Sequence, residues 1–190
     1  MREPTVQELL KHDRAVYIDH LEIACHNAIA QAVLLTFRST FPVVALFRLS
    51  QTKHPIVRQC AALFYKLARI LSGIQIPRGT RIGGGLLLPH FGNIVINRHA
   101  RIGATCTILH NVTIGAKGRG EDRGAPQIGD RVYIGAGAVL LGSIHIGDDA
   151  VIGSGSVVTK HVAAGSVVAG NPAKPIGQRE HALLENRHAA

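Results

Sequence analysis

Tryptophan is absent from this chain of 190 residues, and aromatic residues make up only 4% of it. Apolar residues nevertheless account for 46%, which is enough for a hydrophobic core. With so few aromatic rings, that core must be built mainly from small and aliphatic side chains. This composition favours many small repeated layers over one large mixed core.

Cysteine is scarce as well, and the three cysteines are Cys25, Cys60 and Cys106. No two of them have the spacing of a metal site or a redox motif, so we expect reduced thiols, no bound metal and a cytoplasmic protein. No long apolar run is unbroken, because Arg38, Pro42 and Arg48 interrupt the apolar stretch 28–49. A membrane-spanning helix is therefore not expected.

Acidic residues are few: 12 Asp and Glu stand against 21 Lys and Arg, which gives a formal charge of +9. A basic excess suits an anionic partner such as a phosphorylated cofactor or a membrane surface, although an ordinary basic surface gives the same count. No basic run is interleaved with aromatic residues, so nucleic acid is not the expected partner. The basic residues before position 73 would suit an anionic surface, which leaves peripheral contact with the inner face of a membrane as an open alternative.

Residues 1–73 have the pattern of an α-helical region. Thr5 and Glu8 have the spacing of a capping box, which predicts that a helix begins there. A second helix is predicted over Pro55–Leu71, where an apolar face recurs at steps of three and four residues, and Gly73 ends it. The members of that face are Ile56, Cys60, Leu63, Phe64, Leu67 and Leu71.

After Gly73 the apolar period changes to six. Aliphatic residues recur at this interval in three phased runs, and glycine often follows them. The runs are Ile76, Ile82 and Leu88; Ile96, Ile102, Ile108 and Ile114; and Ile128, Ile134, Leu140, Ile146, Ile152 and Val158. A period of six fits neither a helix nor a hairpin, and it predicts a mainly β fold, a left-handed parallel β-helix, over residues 74–170. Residues 171–190 are then a C-terminal tail.

The repeat breaks twice, and a functional site is expected where a regular pattern is violated. The first break lies between Leu88 and Ile96 and contains His90. The second separates Ile114 from Ile128 and carries a polar, glycine-rich segment, which predicts an extruded loop over 115–127.

Residues 70–177 resemble the serine acetyltransferase branch of the hexapeptide acyltransferase family. The matching stretches are 85–90, 94–96, 112–115, 134–138, 153–158 and 169–174. The resemblance implies acetyl-CoA as co-substrate and homotrimers with active sites between subunits. It also implies that the N-terminal helices can pair two trimers.

The resemblance identifies His90 as the catalytic base. Histidine can take a proton from a hydroxyl near neutral pH, and an unactivated hydroxyl is a poor nucleophile. His110, Asn93, Asn97 and Arg123 are the candidate acceptor-binding residues, and either Asn could also orient His90. An outward-facing turn position is the alternative interpretation of His110.

The resemblance also suggests which residues bind the cofactor. They are Gly115, Ala136, Ser154, Lys160 and Lys174. Ala136 and Ser154 match backbone contacts to the pantetheine arm, and the two lysines lie near the nucleotide. Ordinary surface charge is the alternative for both lysines.

Three departures from the branch concern the acceptor. Gln75 and Pro89 occupy positions where the family has aspartate, and Gly124 and Ala125 lie where its loop has a histidine. These departures favour a hydroxyl of a sugar or surface polysaccharide precursor as acceptor, with L-serine as the alternative. A non-catalytic β-helix scaffold is an alternative of another class. A zinc carbonic anhydrase does not fit the histidine spacing.

Overall fold

The computed structural model describes residues 3–21, 31, 35, 39–117 and 124–179. Three helices come first: α1 Val6–His20, α2 Phe41–Leu49 and α3 Pro55–Ser72. Fourteen short strands follow among the described residues. They are β1 Ile74–Gln75, β2 Arg81–Ile82, β3 Ile94–Ile96, β4 Arg101–Ile102, β5 Thr107–Ile108, β6 Thr113–Gly115, β7 Gln127–Ile128, β8 Tyr133–Ile134, β9 Val139–Leu141, β10 His145–Ile146, β11 Val151–Ile152, β12 Val157–Val158, β13 Ser166–Gly170 and β14 Ala173–Gln178.

The predicted helix boundaries are confirmed by cap geometry. The Thr5 hydroxyl accepts the Glu8 N–H, and the Glu8 carboxylate accepts the Thr5 N–H at 2.6 Å, which is the reciprocal capping box. Gly73 ends α3 with a φ of +71°, a conformation in which glycine carries no Cβ penalty.

The apolar stripe predicted for α3 faces away from the core, which the sequence did not specify. The side chains that pack inward are Ala61, Tyr65 and Ser72. The apolar stripe predicted from the sequence lies on the other side and is exposed; Leu63 is 69% and Leu71 78% exposed. The helix therefore packs through Ala61, Tyr65 and Ser72 and presents its predicted apolar stripe outward.

The strands form three sheets whose faces make a left-handed parallel β-helix. The first face contains β1, β3, β6, β9 and β12; the second contains β2, β4, β7 and β10; the third contains β5, β8, β11, β13 and β14. Successive coils stack in register, as Arg81 on Arg101 and Gln127 on His145 show. Two edges of the prism flank the first face. At the histidine edge, turns join the third face to the first; at the loop edge, turns join the first face to the second.

The hexad prediction is confirmed by burial. Every six-spaced aliphatic residue from Ile76 to Val158 is at most 7% exposed and points into the prism. Small residues such as Cys106, Ala138 and Ala150 are buried at the intervening positions. Each coil thus adds one layer of aliphatic side chains to a continuous core.

The stack ends on the third face with a reversal of direction. The strand β14 pairs antiparallel with β13, and Lys174 lies opposite Ala169. This strand begins within the segment 171–190, so the described part of that segment extends the sheet.

Helix α1 is fixed to the first coil by a buried ion pair. The Asp13 carboxylate accepts the Arg48 guanidinium at 2.8 Å, and both side chains are at most 1% exposed. Asp13 also accepts the N–H groups of Gly85 and Leu86, while Arg48 donates to the carbonyl of Ile82 at 2.7 Å. Within the described residues, no helix has the length and apolarity to cross a bilayer.

Candidate active site

Two histidines from successive coils meet at the histidine edge. The rings of His90 and His110 lie edge to face, with centroids 5.8 Å apart and an interplanar angle of 75°. The Nδ1 atom of His110 is buried and has no hydrogen-bond partner among the described residues. Gly92 permits this approach, because a Cβ there would come within 2.9 Å of the His110 Cβ. The first break in the repeat therefore places one exposed histidine against one partly buried histidine.

The turn that carries His90 is held at its start by Leu88. The Tyr17 hydroxyl accepts the Leu88 N–H at 3.0 Å and lies 2.6 Å from the Thr40 hydroxyl. The Thr40 hydroxyl donates to the Leu88 carbonyl. Burial raises the pKa of Tyr17, so its hydroxyl stays protonated. Helix α1 and the N-cap residue of α2 thus fix the backbone two residues before His90.

The end of α3 holds the other side of the same turn. The Gly92 N–H donates to the Ser72 carbonyl, and the Ile94 N–H donates to the Gly73 carbonyl, each at 3.2 Å. Asn93 lies against Gly73, where its Oδ1 would be 2.8 Å from a Cβ on residue 73. The turn is anchored on both sides, so His90 projects from a rigid support.

Asn97 lies apart from His90. It follows β3 on the loop edge, and its Oδ1 accepts the His99 N–H at 2.9 Å. The structure therefore brings Asn93 to the His90 turn and does not bring Asn97 there. Arg123 lies outside the described residues.

The histidine edge continues upward through two of the predicted cofactor positions. The His110 carbonyl accepts the Gly137 N–H at 3.0 Å, and the Ala136 carbonyl accepts the Gly155 N–H at 2.8 Å. Ala136 and Ser154 therefore occupy the next two coils above His110. Since neighbouring strands lie about 4.8 Å apart, the edge runs roughly 15 Å from His90 to Ser154.

The remaining cofactor positions are divided between the two edges. Lys174 follows the last turn of the histidine edge, whereas Gly115 and Lys160 lie on the loop edge. A groove of about 450 Å³ opens at the loop edge, lined in part by Lys117, Leu141 and Lys160. The two edges stand at opposite ends of the first-face strands, about 10 Å apart for a strand of three residues. Within one chain, the residues predicted to bind acetyl-CoA therefore lie on two separate edges. Ala136, Ser154 and Lys174 belong to the histidine edge, and Gly115 and Lys160 belong to the loop edge.

Sequence reasoning did not find Tyr17 or Thr40. Tyr17 lies in α1 and Thr40 is the N-cap residue of α2, 71 and 48 positions before Leu88, and no local pattern links them to the turn. The capping box showed only that a helix begins near Thr5.

Across the described part of the chain, no group of three or more His, Cys, Asp or Glu side chains is arranged to hold a metal ion. His99, His145 and His161 are exposed in turns and strands of regular coils.

Comparison with known proteins gives the same family in sequence and in structure. Residues 125–160 match the family described as bacterial transferase hexapeptide, six repeats. A probable serine acetyltransferase from Oryza sativa subsp. japonica is 48% identical over 119 residues, which are 63% of this chain and 38% of that protein. The chain therefore spans well under half the length of this relative.

Solved structures cover more of the chain. The structure of Neisseria gonorrhoeae serine acetyltransferase in complex with serine matches 90% of this chain and 69% of that one, with 33% identity and a TM-score of 0.73. The Brucella abortus strain S19 serine acetyltransferase in complex with coenzyme A matches 92% and 68%, with 29% identity and the same TM-score. This chain belongs to the serine acetyltransferase branch of the hexapeptide-repeat transferase family.

Proposed function

We propose that this protein is an acetyl-CoA-dependent O-acetyltransferase with His90 as general base and L-serine as acceptor. The observation that carries the proposal is the anchored turn that presents His90 beside His110 at one edge of the β-helix. The serine acetyltransferase activity of the similar proteins supports the reaction class.

In the proposed reaction, His90 takes the proton of the acceptor hydroxyl as its oxygen attacks the thioester carbonyl. A tetrahedral intermediate forms, the carbon–sulfur bond breaks, and the CoA sulfur leaves with a proton returned by His90. The products are the acetyl ester and CoA. His110 packs against the base and limits its rotation, which is the role that the ring contact supports.

The comparisons support L-serine better than the sugar hydroxyl that the sequence analysis favoured. Both the curated relatives and the solved structures described above are serine acetyltransferases, and one of those structures holds serine. Gln75 and Pro89 still occupy positions of family aspartates, so the groups that recognise the amino acid must differ in part. The predicted polysaccharide pathway has no support from these relatives.

The division of the cofactor positions supports a homotrimer. In a ring of three prisms, the histidine edge of one subunit can face the loop edge of the next. Acetyl-CoA would then lie between Ala136 and Ser154 of one chain and Lys160 of its neighbour, with Lys174 near the same end. Charge-assisted contacts from lysine suit the phosphates of CoA. Pairing of trimers and contact with a membrane stay predictions.

Steady-state kinetics test the proposal. Purified protein is mixed with acetyl-CoA, and CoA release is followed with L-serine or with a panel of free sugars and N-acetylhexosamines. We expect saturable, serine-dependent release, and His90→Ala should lower turnover by roughly 10²–10⁴-fold. His54→Ala is the control, because His54 is exposed at the start of α3, outside both edges of the β-helix, and its loss should leave turnover unchanged.

Other outcomes discriminate among the alternatives. Release that depends on a sugar and not on serine would restore the sugar acceptor. CoA release that does not depend on an acceptor would contradict the proposed transferase activity. So would the absence of CoA release with every acceptor tested. If light scattering showed that the active species is a monomer, the proposed acetyl-CoA site between two subunits would be contradicted.

A further inference from the structure

A second cavity, larger than the groove beside Lys160, opens where the helices meet the first two coils. Its volume is about 730 Å³, within the usual range of small-molecule sites. Residues 3–9, helices α2 and α3, the turn 77–80 and the second face contribute to its walls. Among the described residues that line it, Glu3 is the only acidic one. We call it the arginine cavity.

Five arginines are among the described residues that line this cavity. Arg48 is paired with Asp13, so the cavity takes its positive charge from Arg58, Arg78, Arg81 and Arg101. Arg78 is oriented by a 2.7 Å hydrogen bond to the Ser50 carbonyl. Within the described part of the chain, Arg58, Arg81 and Arg101 have neither an ion pair nor a side-chain hydrogen bond. By contrast, the exposed Arg131 pairs with Asp149 at 2.7 Å.

The pairing of Arg81 and Arg101 is the most informative feature. They lie directly opposite each other on the parallel strands β2 and β4, and both are exposed. Neighbouring strands are about 4.8 Å apart, and like charges directly opposite on adjacent strands destabilise a sheet. An anion that bridges the two guanidinium groups removes this repulsion and gains charge-assisted hydrogen bonds.

The wall beside these arginines also has an unused polar atom. The Thr80 side chain lines the cavity, is 2% exposed, and its hydroxyl has no partner among the described residues. The Gln51 amide donates to the Arg78 carbonyl at 2.7 Å, which fixes the neighbouring turn. The cavity thus combines a turn that is held by hydrogen bonds with donors that have no partner among the described residues, namely the Thr80 hydroxyl and the guanidinium groups of Arg58, Arg81 and Arg101.

The arginine cavity is separate from the candidate active site. It lies at the loop edge and second face of the lowest coils, whereas His90 lies at the histidine edge. The groove with Lys160 lies on higher coils, and among the described residues it shares none of its lining with the arginine cavity.

We propose that the arginine cavity binds a small anion carrying at least two phosphate groups, with Arg81 and Arg101 bridged by the ligand and Arg58 and Arg78 completing the site. A single phosphate can satisfy the opposed pair, but four guanidinium groups that no carboxylate pairs with among the described residues suit a ligand of higher charge. This inference does not depend on the proposed acetyl transfer, because its test measures binding alone.

Calorimetric titration with inorganic pyrophosphate at low ionic strength tests this inference. We expect saturable binding of one pyrophosphate per chain, weaker binding of orthophosphate, and loss of affinity as NaCl is added. Arg81→Gln and Arg101→Gln should each weaken pyrophosphate binding by roughly tenfold or more, since each removes a charge-assisted contact. Pyrophosphate should also raise the melting temperature of the unmodified protein.

Two control variants localise the binding. Arg98→Gln removes an exposed arginine that does not line the cavity, and it should leave the affinity unchanged. Lys160→Ala tests the groove on the higher coils and should also leave it unchanged. The inference is overturned if no saturable binding occurs, if Arg98→Gln weakens binding as much as Arg81→Gln, or if binding is lost in Lys160→Ala and kept in Arg81→Gln.

Discussion

Gly92 and His110 approach so closely that a Cβ on residue 92 would lie 2.9 Å from the Cβ of His110. Gly92 also has a φ of +138°, which L-residues rarely adopt. Gly92→Ala should therefore displace the His90 turn from His110, lowering kcat by about tenfold or more while the β-helix stays folded. The measurement is kcat together with a thermal melt.

Gly165→Ala is the control for backbone strain at Gly92. Gly165 has a φ of +68°, but a Cβ there would make only an ordinary 3.5 Å contact. It should lower stability by about 1–2 kcal/mol and leave kcat unchanged. Equal losses of kcat in both variants would mean that the contact with His110 has no special role.

Tyr17→Phe tests the support of the turn at Leu88. The variant leaves the buried Leu88 N–H without its acceptor, which should cost about 1–3 kcal/mol of unfolding free energy. Because the support lies two residues before His90, kcat should fall as well, with the KM for acetyl-CoA unchanged.

Tyr65→Phe is the matched control, since Tyr65 is also buried and donates to the Ile76 carbonyl at 2.7 Å. It should lower stability similarly and keep kcat. If Tyr17→Phe lowers stability but leaves kcat unchanged, the Tyr17 hydroxyl does not position the catalytic turn.

The two lysines assigned to the nucleotide lie on different edges of the chain. If a ligand bridges two subunits, Lys160→Ala and Lys174→Ala should each weaken acetyl-CoA binding, by about 1–3 kcal/mol, with little effect on turnover at saturation. Calorimetry with CoA measures the loss. Unchanged CoA affinity in both variants would mean that the nucleotide of CoA binds elsewhere.

The buried ion pair between Asp13 and Arg48 predicts a specific pattern of stability. Arg48→Met should cost about 3–5 kcal/mol, because it leaves the Asp13 carboxylate buried without its counter-charge. Asp13→Asn in the Arg48→Met background removes that charge and should recover part of the loss. Urea unfolding measures both, and a double variant less stable than Arg48→Met would contradict this account.

Cys106 gives a pH dependence with a defined sign. Burial raises the pKa of its thiol to about 11, compared with about 8.5 for a free cysteine. As the pH rises above about 8.5, the unfolded chain loses this proton and the folded chain keeps it, so stability falls between these values. Thermal melts across this range should show a smaller decline for Cys106→Ala. An identical decline in both proteins would rule out the thiol as a cause.

The repeat could be predicted from the sequence because each coil is specified locally. A six-residue interval identifies the inward positions regardless of what lies elsewhere in the chain, and Ile102 and Ile134 are buried as it requires. The break at His90 marked the candidate site for the same reason.

What surrounds His90 could not be predicted, because it depends on contacts that are distant in sequence. Tyr17 reaches Leu88 across 71 positions, and the exposure of the α3 stripe follows from which of its two apolar sides packs inward. Asn97 was expected near His90 because it is close in sequence, but β3 carries it to the other edge of the prism.

A parallel β-helix has no intrinsic length, because each coil offers the next strand the same free N–H and C=O groups. Another chain could in principle continue such a stack as a fibre. On the third face β14 runs in the opposite direction, with Pro175 lacking an N–H and Lys174 carrying a charge. The reversal therefore ends the parallel template on that face, so a further coil could not continue the third sheet in the same direction.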